Sequence, residues 1–279
     1  MYKIFLIFLI NINIYANIVY DLRKDFFHNV VEKQLLKLDS QKDIKEAIKQ
    51  RKKQSILSSY DIKRYETIII ENIGKNNLQD NEYFSIVNIK KQIYSILLYL
   101  KDEDKFYLIG SDLISSGNKN REVEVKYGED HYFDTPTGVF EVKKGWRSSG
   151  KFKNNKKLIQ SYGKKDRFIY YFGKIRQKRY NSFIKGKKIK FKKNYNLIDD
   201  TLNFAIHSYT NKNNPYKLGQ RASHGCVRMS DELNIFLDNN LVLHKNFFKN
   251  NKWYLKKSKK PKNIKNLNIK GSYLFIVDK

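Results

Sequence analysis

The spacing of apolar positions changes along the chain, and each change predicts a different kind of element. After Lys3, residues 4–10 form an unbroken apolar run, and Ala16 then offers a small residue at which a leader could be cut. A membrane-spanning helix needs roughly 20 apolar residues. The shorter run, with Asn11 and Asn13 behind it, fits an export signal over residues 1–16; retention as an uncleaved anchor is the alternative. Residues 17–83 then carry Val30, Val31, Leu35 and Leu38, followed by Ile44, Ala47 and Ile48, at helical spacing. Ser40 followed by Asp43 resembles a helix start. This charged N-terminal region holds no catalytic grouping and is expected to be a helical appendage that packs on the main domain or binds a partner.

From residue 84 onward the texture is that of strands. Residues 86–100 are rich in Ile, Tyr and Val around Lys90, Lys91 and Gln92, which predict a hairpin turn. Val123, Val125 and Tyr127 alternate with Glu122, Glu124 and Lys126, the period of a half-exposed strand. Pro136 and Gly138 punctuate a turn before a strand at 139–142, and further strands are expected at 106–109, 168–172, 204–207 and 273–277. A helix is predicted from Ser230 or Asp231 through Leu233, Phe236 and Leu237, and residues 245–270 read as a Lys/Asn-rich excursion. Short strands joined by turns predict a mainly β domain over 84–279 with a small helical N-terminal region.

Composition changes this picture only in part. A chain of 279 residues with 41% hydrophobic side chains can bury one ordinary domain and an appendage. The 56 Lys and Arg against 28 Asp and Glu give a net charge of +28. That surplus suits an anionic partner such as an acidic wall polymer or a membrane surface. The positive charge is spread along the chain together with abundant Asn and Ile, so no nucleic-acid partner is expected. A basic, non-catalytic protein that binds wall or nucleic acid stays as the competing class.

Cysteine usage is more telling. Exported proteins meet oxidising conditions in which cysteines usually pair, yet Cys226 is the chain's sole cysteine. It is either an inert buried thiol or one kept for its reactivity. Two of the five histidines, His207 and His224, lie in the segment that holds it. An imidazole that removes the thiol proton makes a nucleophile, so His207, at a strand end, is expected to face Cys226 across the sheet in an open, polar groove. The Gly225 and Cys226 amides are placed to meet a developing oxyanion, and Arg228 to fork onto a substrate carboxylate. One cysteine and two histidines without CxxC or HxxxH spacing make a poor zinc set, so no metal is expected. His28, His131 and His244 are read as structural or exposed.

The run Ser223-His224-Gly225-Cys226-Val227-Arg228, preceded by His207, resembles the signature of L,D-transpeptidases with the YkuD-like fold. Asp134-Thr135-Pro136-Thr137-Gly138-Val139-Phe140 resembles that family's Thr-Pro-x-Gly-x-Phe turn, and Ser116-Gly117 the end of an earlier strand. The resemblance covers about residues 84 to 243 and the final strand. It implies a β-sandwich catalytic domain over 84–279, no cofactor, and peptidoglycan stem peptides as substrate. Cys226 would attack the carbonyl between meso-diaminopimelate and D-Ala, with His207 as base and Ser208 helping to hold it. His224 and Gly225 would line the oxyanion site, and Ser223 and Arg228 the substrate. Transfer to an amine gives a crosslink, whereas transfer to water gives a trimmed tripeptide, as in an L,D-carboxypeptidase. Ser208-Tyr209 after the histidine and a long basic insert over residues 143–193 depart from the family pattern.

Overall fold

The chain is described from a computed structural model over residues 17–35, 57–119, 132–154, 157–160, 162–181, 183–184, 187–188, 196–209, 218–249, 261 and 263–278. The expected signal, the helix start at Ser40, the alternation around Val125, and His131 all lie outside these residues. No helix among the described residues is long and apolar enough to cross a membrane.

Among the described residues nine strands form one sheet. In chain order they are β1 (Glu82–Asn88), β2 (Ile93–Leu100), β3 (Lys105–Ser115), β4 (Gly138–Glu141), β5 (Lys144–Arg147), β8 (Phe168–Asn181), β11 (Asn196–Ser208), β12 (Val227–Met229) and β13 (Lys270–Val277). Their spatial order is β4-β13-β1-β2-β3-β12-β11-β8-β5. Two small ribbons stand apart, β6 (Lys151–Asn154) with β7 (Lys157–Gln160), and β9 (Phe183–Ile184) with β10 (Lys187–Lys188). The sheet curls until β4 approaches β8, where the Phe140 and Phe172 ring centroids are 5.1 Å apart. One curled sheet thus supplies the layers of the mainly β domain that the sequence predicts.

The hairpin at Lys90–Gln92 forms as expected. Asn88 Oδ1 accepts from the Lys90 and Lys91 amides (3.1 and 2.9 Å), and Gln92 takes φ 57°. Every residue of β1 and β2 is buried, because the two faces of this hairpin enter different cores. Phe84, Ile86, Leu97 and Tyr99 meet Tyr65 and Ile69 of α1 (Ser59–Ile73) on one side. Tyr83, Val87, Tyr94, Ile96 and Leu98 enter the main core on the other. Burial on both faces explains why this stretch reads as a nearly continuous apolar run. A capping box between Ser58 and Asp61 starts α1, and Lys91 Nζ reaches both Asp61 oxygens at 2.6 Å, tying the helix to the hairpin turn.

Residues 17–35 are helical, wound as a π-helix over Phe27–Glu32. Val19, Leu22, Phe26 and Val30 enter the main core at helical spacing, and Phe26 packs edge-on against Phe236 of α2 (Asp231–Asn239), 5.1 Å between centroids. A buried triad adds polar anchorage. Gln34 Nε2 donates to Asp112 Oδ2 (2.8 Å) and Ser230 Oγ (3.0 Å), and Ser230 Oγ donates to Asp112 Oδ2 (2.7 Å). Ser230 is also the N-cap of α2, as the sequence predicts, accepting from Leu233 N. The basic excursion opens with α3 (Lys245–Lys249) and returns to the sheet as β13.

Candidate functional site

The site stands on two neighbouring parallel strands. In β11 and β12 the register sets Ile206 beside Val227 and His207 beside Arg228. Phe204, Ile206 and Val227 point into the main core, so by strand alternation Ala205, His207, Cys226 and Arg228 share the opposite, outer face. Cys226 enters one residue before β12, diagonal to His207, and packs with Ala205 and Ile169 in a small cluster on that face. The chain's one thiol and the expected imidazole are therefore brought together.

The three motif segments converge behind the cysteine. Gly117 bridges to Ser223, and its amide donates to Thr135 Oγ1 (2.8 Å), which in turn donates to the Gly225 carbonyl (2.6 Å). A Cβ on Gly117 would stand 2.2 Å from the Phe133 carbonyl oxygen, so only glycine lets the strands cross here. Gly225 takes φ 135°, outside the range comfortable for L side chains. Its amide donates to Ser223 Oγ (3.1 Å), and Ser223 Oγ donates to the Cys226 carbonyl (2.5 Å). This corrects two sequence expectations. The Gly225 N–H is engaged within its own turn instead of facing an oxyanion, and Ser223 is fully buried and shapes that turn.

His207 Nδ1 lies 2.9 Å from the Ser208 carbonyl. A carbonyl only accepts, so Nδ1 carries the proton and Nε2 keeps its lone pair, the tautomer a base requires. The Ser208 hydroxyl does a different job: it accepts from the Lys164 amide at 3.0 Å and pins the 162–167 turn onto the strand end. Tyr162 is carried there, its ring edge-on to the imidazole with centroids 5.5 Å apart. Cys226 electrostatics also reach Tyr162 and hold its phenol above the ordinary tyrosine range, after burial as the larger cause.

Among the described residues the expected open groove is not seen. Cys226 and His207 are 6% and 7% exposed, with Ile169 and Ala205 against the thiol and the Tyr162 ring against the imidazole. Burial pushes the thiol up to about 11, against a backbone hydrogen bond from Ala205 and the charge of Arg228. Burial likewise lowers the imidazole to about 4; the Ser208 carbonyl opposes this and Arg228 adds to it. Both groups therefore rest neutral, a thiol and an imidazole instead of an ion pair. Among the described residues no direct hydrogen bond joins them, and Sγ leans on the Asn203 carbonyl at 3.8 Å.

Arg228 sits on the same face. Its Nη1 donates to the Ala222 carbonyl (3.5 Å), its Nη2 to His224 Nδ1 (3.3 Å), and its guanidinium lies 5.9 Å from the Tyr209 ring centroid. His224 stacks on Tyr132 with centroids 4.1 Å apart, and its carbonyl accepts from the Phe133 amide. His244 is wholly buried, 3.2 Å from Asp238, which Arg147 also grips; His28 pairs with Glu32 at the surface. His244 packs on Phe168 and Tyr170 on the core face of β8, opposite the face on which Ile169 meets Cys226, and His28 lies on the N-terminal helix. Among the described residues no group of histidine, cysteine and carboxylate side chains is arranged to hold a metal. Tyr162 was not foreseeable: a lone tyrosine among Lys, Asn and Gly carries no periodic or motif signal.

A thiol and a base-competent imidazole on adjacent strands, backed by a tied glycine turn, make an arrangement of the cysteine acyl-transfer type. Residues 82–243 match the model of the YkuD family, the L,D-transpeptidase catalytic domain. The match spans more than half of the chain, and the chain belongs to this family, which acts on peptidoglycan stem peptides. No curated protein matches the sequence. Among solved structures the chain is similar to Bd1075 of Bdellovibrio bacteriovorus, at 12% identity and TM-score 0.32, over 71% of this chain and 48% of that one. It is also similar to a fused Zn-dependent amidase/peptidase/peptidoglycan-binding domain-containing protein from Clostridium acetobutylicum, at 14% identity and TM-score 0.30, over 80% of this chain and 64% of that one. The chain thus spans less than two thirds of either.

Proposed function

We propose that this protein is a peptidoglycan L,D-transpeptidase working through a Cys226 thioester. The observation that carries the reading is the parallel register that sets His207 and Cys226 on one sheet face. In the proposed reaction His207 Nε2 takes the thiol proton as Sγ attacks the carbonyl between meso-diaminopimelate and D-Ala. The Cys226 amide is assigned to the oxyanion, since the Gly225 amide is already engaged. The low basicity of the buried imidazole makes its protonated form a ready acid. It returns the proton to the departing amine, D-Ala leaves, and the stem remains as a thioester on Sγ. An amine acceptor then displaces the thiol and forms the new amide bond, which returns the enzyme to its starting state. Arg228 is assigned to a substrate carboxylate, with His224 holding the guanidinium in place.

Covered side chains require one adjustment before chemistry: the thiol must turn from the Asn203 carbonyl toward Nε2 as substrate displaces the Tyr162 ring. The reading also puts the protein outside the cytoplasm, in the periplasm or cell envelope where the polymer lies; the expected signal over residues 1–16 supports this. Incubating the protein with tetrapeptide-rich peptidoglycan and separating the muropeptides tests it. Crosslinked dimers and released D-Ala are expected, both lost in Cys226→Ala. Tripeptides without dimers would make water the acceptor, and unchanged muropeptides would contradict the reading.

A further inference from the structure

The outer sheet face does not end at the thiol. Across β11, β8 and β5 the antiparallel registers continue it in rows, because directly paired residues point the same way. The row of Cys226 and Ala205 continues through Tyr171 to Lys144, and Trp146 pairs with Ile169 one row away. A bulge between Phe204 and Ala205 then resets β8, so that Lys174, Arg176 and Lys178 fall opposite Asn203, Thr201 and Asp199 on the same outer face. Their burial alternates with that of Ile175 and Gln177, and all three are exposed. At about 3.3 Å per residue, this basic line runs about 20 Å from the cysteine row.

The charges on it are largely uncommitted. Arg176 makes one loose, exposed pair with Asp199 at 3.6 Å, and Lys144, Lys174 and Lys178 make no ion pair among the described residues. Trp146 and Tyr171 lie beside this line, ring centroids 6.3 Å apart, with Trp146 37% exposed. Exposed cations in a row beside an aromatic pair, its rings tilted by 40°, suit a polymer with repeated carboxylates and sugar rings.

Resting on the reading above, we propose that this basic and aromatic track is the docking surface for the peptidoglycan strand that bears the reacting stem. Stem carboxylates would meet Lys174, Arg176 and Lys178, while a sugar ring lies on Trp146 and Tyr171. Charge complementarity selects this occupant, and the sheet face it shares with the cysteine and histidine selects it over a membrane surface, which would block a stem from reaching the thiol.

Co-sedimentation with insoluble peptidoglycan stripped of attached polymers tests this without turnover, in a Cys226→Ala background. Reversing the track (Lys174→Glu, Arg176→Glu, Lys178→Glu) is expected to weaken binding about tenfold. An equal charge change elsewhere (Lys24→Glu, Lys63→Glu, Lys90→Glu) is expected to weaken it less than about threefold. Trp146→Ala provides a second variant without charge change and is expected to weaken binding as well. Equal losses for both charge triples, or none for either, would overturn the proposal. So would a track reversal that loses binding to phosphatidylglycerol vesicles while keeping the wall. Track-dependent binding without any muropeptide turnover would instead sink the reaction and leave the docking surface standing.

Discussion

At the scale of single residues, the account turns on two neutral groups that must exchange a proton. Cys226→Ala should reduce turnover to background, and His207→Gln should lower kcat by about 10²- to 10⁴-fold, the range for a positioned base. Steady-state rates on a defined tetrapeptide check both. The shifts also fix a pH profile. With the imidazole near 4, the base is competent from weakly acidic pH upward, so the acid limb should lie near 4 instead of the usual histidine range. With the thiol pushed up to about 11, alkylation by iodoacetamide should be slow at neutral pH and accelerate toward 11. Tyr162→Ala removes part of the cover and should speed neutral-pH alkylation, as measured by mass spectrometry. The sequence made Cys226, His207 and Arg228 legible because their chemistry is carried by residue type and order. It could not show that Gly225 spends its amide on Ser223, or that burial hides the thiol, since both depend on how distant segments close over the motif.

At the scale of elements, the site is only as firm as the turn and strand ends beneath it. Gly225→Ala would force a Cβ to 2.8 Å from the Phe204 ring at φ 135°. Backbone strain of this kind costs about 1–3 kcal/mol, so a lowered urea midpoint is expected along with lost activity. Ser208→Ala leaves the Lys164 amide without its acceptor and should cost about 1 kcal/mol, while loosening the 162–167 turn. Most strands were legible from hydrophobic spacing, including the Lys90–Gln92 hairpin and the Ser230 cap. The insert over residues 143–193 was not. Only 168–172 stands out there as a strand, yet β8 runs on to Asn181 because β11 pairs with it along its length. Alternating Lys and Arg disguise that pairing as a solvated charge run. The alternation itself, Lys174-Ile175-Arg176-Gln177-Lys178, is the period-two signal that marks it.

At the scale of the whole molecule, the N-terminal helix and the sheet share one core. Phe26→Ala removes an aromatic ring packed against Phe236, a change that typically costs about 3–5 kcal/mol. The loss should appear in the unfolding of the entire β domain, because the helix packs on α2 and shares the main core with the sheet. Stability should also fall at both pH extremes for a reason internal to the site. The unfolded imidazole takes a proton near 6.5 while the folded one resists until about 4, so stability declines as pH falls through that interval. The unfolded thiol ionises near 8.5 while the folded one holds its proton to about 11, so stability declines again as pH rises there. In Cys226→Ala the alkaline decline should flatten, which thermal melts across pH can follow.

The central claim is that Cys226 carries the acyl group of the stem. Intact-protein mass spectrometry after brief exposure to a tetrapeptide stem, quenched in acid, reads this directly. A mass gain equal to the tripeptide acyl group, mapped to Cys226 and absent from Cys226→Ala, is the expected result. Turnover without any adduct on that sulfur, or an adduct on another residue, would contradict the account.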